Sequence, residues 1–300
     1  MKLFTMGALM ACIMSFSPNL VLATESTAPA ESLSSQEILH GDESKYATQF
    51  KEITEQINLL KSQYKGINQA TRQLKEAGAS YQHTLTADTH KVSQYLTDDQ
   101  LGTMAGVYTI DAGYAALFLR KKELKNVILA RRDLMIKLGF QAPLSPKMKK
   151  LLQNPESIKD GQAWTDAVKA VHKKFMANGI NSAKQLKVIT NVGYGMLVEG
   201  LYIATESIAM ADYSPKMLEQ LNIQHERIHF MIKLLNTMRH DEDLKHAVGF
   251  RHSLDFMGKI HALLIVTEYT RQDVEALREV IRPERQAILD GAIGNVATKQ

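Results

Sequence analysis

The chain carries a single cysteine, Cys12, among its 300 residues. One thiol can build neither an intramolecular disulfide nor a cysteine-rich zinc site, so stability must come from packing. Prolines number only seven and aromatic residues 7%, and no stretch alternates apolar and polar residues as a half-buried strand does. An excess of one charge is also missing. The 36 Lys and Arg nearly balance 32 Asp and Glu, leaving a net charge of +4 with no dense basic tract. A nucleic-acid binder depends on clustered phosphate contacts, so nucleic acid is not an expected partner. There is no glycine loop after a strand to cradle phosphate, since Gly193-x-Gly195 falls in mid-helix, and no nucleophile elbow.

What is present begins with an export signal. Lys2 precedes an apolar run from Leu3 to Phe16, Pro18 breaks it, and Val21-Leu22-Ala23 offers a cleavage point before Thr24. The run is too short for a membrane span, so residues 1–23 read as a signal peptide and the mature chain as periplasmic, with no transmembrane helix. Leu9-Met10-Ala11-Cys12 also resembles a lipobox, which would leave a lipid anchor on Cys12. The residues after Cys12 stay apolar to Phe16, whereas lipoproteins turn polar there, and this favours the cut at Ala23.

The remainder reads as all-α. Residues 24–44, rich in Ser, Thr, Ala and Glu, are expected to be a mobile lead-in. Residues 45–290 are expected to form one helical domain, a bundle of about nine helices, followed by a tail over 291–300. Tyr46, Phe50, Ile53, Ile57, Leu60, Tyr64, Ile67, Thr71 and Leu74 make a heptad seam along a long first helix. That seam fits a coiled-coil homodimer, or, with more weight, an antiparallel packing on its own domain. Thr97-Asp98-Asp99 caps a small-residue core helix from Leu101 to about Arg120, and an amphipathic helix from Lys121 to Leu138 stops at Gly139. Further helices are expected over Gly161–Ala177, from Ser182 to Met210, from Ser214-Pro215 to His240, over Asp243–Tyr269 and over Gln272–Leu289.

Two sets of residues could carry chemistry. The first is His225-Glu226-Arg227-Ile228-His229, an H-E-x-x-H in which histidines one helical turn apart could share a zinc ion and Glu226 could activate its water. The surroundings fit poorly. No glycine and third histidine follow, and the later carboxylates Glu242 and Glu268 sit in no motif. Glu226-x-x-His229 with Glu37-x-x-His40 would make a di-metal site only if the lead-in entered a bundle. Zinc is therefore expected only under a metallopeptidase alternative, and no cofactor otherwise. The second set is polar residues inside apolar helices. Asp111 lies between Tyr108 and Tyr114, and Glu199 lies between Tyr194 and Tyr202. A buried carboxylate must be paired, hydrogen-bonded or neutral. Each either meets a tyrosine or a basic side chain and fixes helix register, the reading with more weight, or lines a polar pocket with Tyr108 and Tyr202.

Four segments carry a family likeness: Lys75-Glu76-Ala77-Gly78-Ala79-Ser80-Tyr81, Gly106-x-Tyr108-x-x-Asp111-x-x-Tyr114, Leu138-Gly139 and Glu199-Gly200-Leu201-Tyr202. Their order resembles that in an uncharacterised family of exported, all-helical bacterial proteins, many of them lipoproteins. The resemblance implies location and fold, brings no chemistry, and gives no role to an H-E-x-x-H. The expectation is an exported, non-catalytic binding or structural module for a ligand or protein partner, with a helical zinc metallopeptidase as the alternative.

Overall fold

The structure is a computed structural model that describes residues 79–140, 146–154, 183–219, 248–266 and 268–293, and positions 221, 222, 225, 228, 229, 231, 232, 235 and 236. The leader with Cys12, the lead-in, the heptad seam, Glu37, His40, the 161–177 helix, Glu226, Glu242 and the tail beyond 293 lie outside the described residues.

Every regular element among the described residues is helical. Two 3-10 turns, His83–Leu85 and Thr89–Gln94, precede α1 (Asp98–Leu117), α2 (Lys121–Lys137), α3 (Pro146–Gln153), α4 (Ala183–Met210), a single turn α5 (Pro215–Leu218), α6 (Val248–Leu264) and α7 (Arg271–Leu289). The described positions from 221 to 236 are helical as well. No helix among the described residues is long and apolar enough to cross a membrane.

Helix α1 starts with a capping box. Thr97 accepts from the Gln100 backbone N–H, and the Gln100 side chain reaches back to the Thr97 N–H. It is buried on nearly every side, which explains why its apolar residues keep no helical stripe. Its closest neighbour is α4, and the two run parallel: Asp98 pairs with Lys184, Asp99 with Lys187 and Asn191, and Gly106 abuts Val192 and Met196. The approach is backbone to backbone. A Cβ on Gly106 would overlap the Val192 carbonyl and come within 2.7 Å of the Met196 nitrogen, and one on Gly195 would overlap the Thr103 carbonyl. Only glycine fits at such a crossing.

Helix α2 folds back along α1 after a tight reversal at Phe118-Leu119-Arg120. There Leu119 adopts φ 53°, and the Arg120 N–H returns to the Ala115 carbonyl. Gly139 closes α2 in the same way, with φ 87° and a Phe140 to Met135 bond. Helix α6 ends at Leu264, short of the expected Tyr269. The chain turns there instead, and the buried Tyr269 hydroxyl donates to the Leu264 carbonyl. Thr270 and Asp273 then form the capping box of α7, which packs antiparallel on α4. Ser214 precedes Pro215 at the first position of α5, although its hydroxyl makes no capping bond.

Candidate functional site

The structure gathers Tyr108, Asp111, Glu199 and Tyr202 into one cluster and adds a member that sequence reasoning missed, Arg285 of α7. Arg285 donates from Nε and Nη2 to the two Glu199 carboxylate oxygens, at 2.7 and 2.9 Å. Its guanidinium lies over the Tyr202 ring, 3.9 Å from the centroid, so one face of the cation is stacked while its edge is paired. Burial works to lower the Arg285 pKa, but the Glu199 charge and hydrogen bonds outweigh it and raise it. A third Arg285 bond, from Nη2 to the Leu85 carbonyl, ties the cluster to the irregular segment before α1.

Asp111, on α1, faces Glu199 and is completely buried. One of its oxygens, Oδ2, accepts the Ala87 N–H at 3.0 Å. The other, Oδ1, finds no donor among the described residues. Burial first, then the charge of Glu199 and a hydrogen bond with it, push the Asp111 carboxyl well above the ordinary carboxylate range. A proton on Asp111 resolves both facts, since the acid then donates to the Glu199 carboxylate instead of repelling it. With that proton, the cluster of one neutral acid, one carboxylate and one guanidinium would carry no net charge.

The tyrosines complete a row along α1. Tyr108, Asp111 and Tyr114 sit three residues apart, and each bonds to the backbone of the segment that precedes the helix. Tyr108 donates to the Asp88 carbonyl at 2.9 Å, Asp111 accepts from Ala87, and the Tyr114 hydroxyl accepts the Gln82 N–H at 3.1 Å. Tyr81 stacks on Tyr114, with ring centroids 5.1 Å apart. Residues 81–88 lack the repeating bonds of a long helix, so these side chains satisfy backbone groups that burial would otherwise strand. The G-x-Y-x-x-D-x-x-Y pattern is thus a clamp on the chain's own backbone, and its carboxylate is closed to solvent.

Two further clusters hold α7 in place. Glu206 accepts forked bonds from both Arg278 and Arg282, at 2.7 to 3.1 Å. Burial works to raise the Glu206 pKa, but the bonds from Arg282 and Arg278 outweigh it and hold it low. Arg278 also reaches Glu275, which accepts the Tyr213 hydroxyl. Glu284 takes the Tyr194 hydroxyl from α4 and His252 Nε2 from α6, the latter at 2.9 Å. That hydrogen bond raises the His252 pKa. The seven-residue step from Glu199 to Glu206 matches the step from Arg285 back to Arg278, two helical turns on antiparallel partners.

His225 and His229 are placed on a helical stretch beside α6, which brings His261 against both. The ring centroids stand 5.3 Å from His225 and 5.8 Å from His229. His261 is pushed below its ordinary pKa by burial and by the two neighbouring histidines. As placed, no group of three or more His, Cys, Asp or Glu side chains among the described residues could hold a metal ion.

The signal for Arg285 was hard to see because α7 reads as a charged amphipathic helix, whose arginines look like a solvated face. Its register against α4 depends on tertiary packing. No protein-family model matches this chain, and no curated protein and no solved structure matches it either.

Proposed function

We propose that the chain is an exported, non-catalytic helical module that serves binding or structure rather than turnover. The observation that carries this reading is the fate of the two core carboxylates. Both Glu199 oxygens are taken by Arg285, and Asp111 Oδ2 is taken by the Ala87 N–H. A general acid or base must reach its substrate, and these two groups, at 0% exposure, serve the packing of α1, α4 and α7. The signal-like residues 1–23 support export to the periplasm. The resemblance in the Gly106–Tyr114 and Glu199–Tyr202 segments supports an exported helical family. The Tyr46–Leu74 seam supports a long first helix, within a bundle of about nine, lying antiparallel on its own domain.

The test is fractionation in a Gram-negative host followed by mass spectrometry of the purified N-terminus and light scattering of the mature protein. A periplasmic chain beginning at Thr24, monomeric at all concentrations, is expected. An acylated N-terminus at Cys12 would replace the soluble periplasmic form with a lipid-anchored one, and a dimer would move the heptad seam to an intermolecular contact. A chain retained in the cytosol with its leader intact overturns export.

A further inference from the structure

Among the described residues, the three-histidine cluster stands outside the helix-clamping network. His225 and His229 stand one turn apart on the same helical face, the spacing that lets two imidazoles reach one ion. The third ring comes from α6, more than thirty residues further on, and sits within 5.3 and 5.8 Å of the other two. With Zn–N bonds of about 2.0–2.1 Å at tetrahedral angles, imidazole centroids around a shared ion lie roughly 5 to 6 Å apart. The two separations from His261 fall in that range. The rings are tilted by 42° and 34° to His261, and they must turn to aim a nitrogen each at a common point. Histidine χ2 is a broad torsion, so that turn is cheap.

We propose that His225, His229 and His261 form a binding site for one divalent transition-metal ion of the zinc class, joining the helical stretch around 225–229 to α6. Three neutral nitrogen donors suit zinc, copper and nickel, and not calcium or magnesium, which require oxygen ligands. His229 is exposed, and His225 and His261 are partly so, which leaves the ion reachable from solvent and its remaining coordination position to water. Packing three imidazoles together has no electrostatic benefit in the absence of an ion, because any protonated member repels the others. The site does not depend on Glu226 acting as a base, and it is independent of the export reading. Its consequence is a cross-link: an ion held by two helices stabilises the folded chain in proportion to its occupancy.

The experiment is isothermal titration of the untagged mature protein with Zn²⁺, alongside thermal unfolding with and without the ion and visible spectroscopy of the Co²⁺ form. A single saturating equivalent, a raised Tm and intense cobalt d–d bands are expected. His225→Ala, His229→Ala and His261→Ala should each weaken zinc by about tenfold or more. His261→Gln, which keeps the size and helical preference of the side chain, should do the same while circular dichroism stays unchanged. If His261 variants bind zinc as tightly as the parent, the ion sits on the one-helix pair alone and the cross-helix site is wrong. If the parent takes up no stoichiometric zinc, or takes it up with no change in Tm, the proposal is overturned. Neither result bears on the N-terminus found by mass spectrometry, so the two readings fail separately.

Discussion

Arg285 and Glu199 meet in a two-pronged ion pair that is sealed from solvent, with side-chain exposures of 8% and 0%. The pair joins α7 to α4 across 86 residues of sequence. Its stabilising effect is limited, because both ions lose their hydration on burial. What it enforces is that neither ion can be present without the other.

Arg285→Met is therefore expected to cost about 3–5 kcal/mol, the penalty for a buried charge whose partner has gone. The loss should appear as a lower urea midpoint with an unchanged slope. Combining it with Glu199→Met removes both ions, and most of the stability should return. If the double variant is no better than the single one, the cluster does not work as a charge pair.

Asp111 sets a pH dependence of known sign. Its folded pKa is raised by burial and by Glu199, so the folded chain keeps a proton that the unfolded chain releases. Its contribution is fully present below the ordinary carboxyl pKa and fades as pH rises toward the folded value. Asp111→Asn keeps an acceptor for Ala87 and supplies an N–H for Glu199, so it should be more stable than the parent at pH 8 and lose the downward slope. Asp111→Ala should be destabilised at every pH. His252, whose pKa is raised by Glu284, adds a decline of the same sign near neutrality. The difference between parent and Asn variant across a pH series of denaturation curves isolates Asp111. An Asn variant as unstable as the Ala variant would mean that the neutral acid is not the form the fold selects.

The α1–α4 crossing gives a paired test within one helix. Gly195→Ala drives a methyl into the Thr103 carbonyl and should cost about 1–3 kcal/mol or more, as overpacking does. Gly200→Ala, five residues on, meets nothing within 4 Å and should stabilise by about 0.5–1 kcal/mol through helix propensity. Thermal denaturation of the two variants checks both directions. Equal effects would show that the crossing tolerates a side chain.

Local rules made much of this fold legible. The cap at Thr97 and the stop at Gly139 depend on neighbours within a turn, and α1 and α2 follow them. Ser214-Pro215, by contrast, opens only the single turn α5, which ends at Leu218 instead of running unbroken toward His240. Asp111 and Glu199 could be singled out because a carboxylate in apolar sequence has few options. Arg285 could not, since its partner is fixed by tertiary register alone. The 81–96 segment was opaque for a related reason. Its backbone is satisfied by Tyr108, Asp111, Tyr114 and Arg285, all distant in sequence, so no periodic pattern marks it. The end of α6 was misjudged because Ile265 and Val266 extend an apolar run, yet both are exposed beyond the helix.

The Arg285 bond to Leu85 spans 200 residues, and this has a consequence for the order of assembly. Contacts of such range form late, because a long loop must close before they contribute. Until α7 arrives, Glu199 has no cation and the Leu85 carbonyl has no donor. Helix α4 therefore cannot be buried at full benefit in a shortened chain. Truncation before α7 should leave a collapsed state lacking fixed packing, and the closing of the core becomes a late, concerted event that depends on residues 271–289.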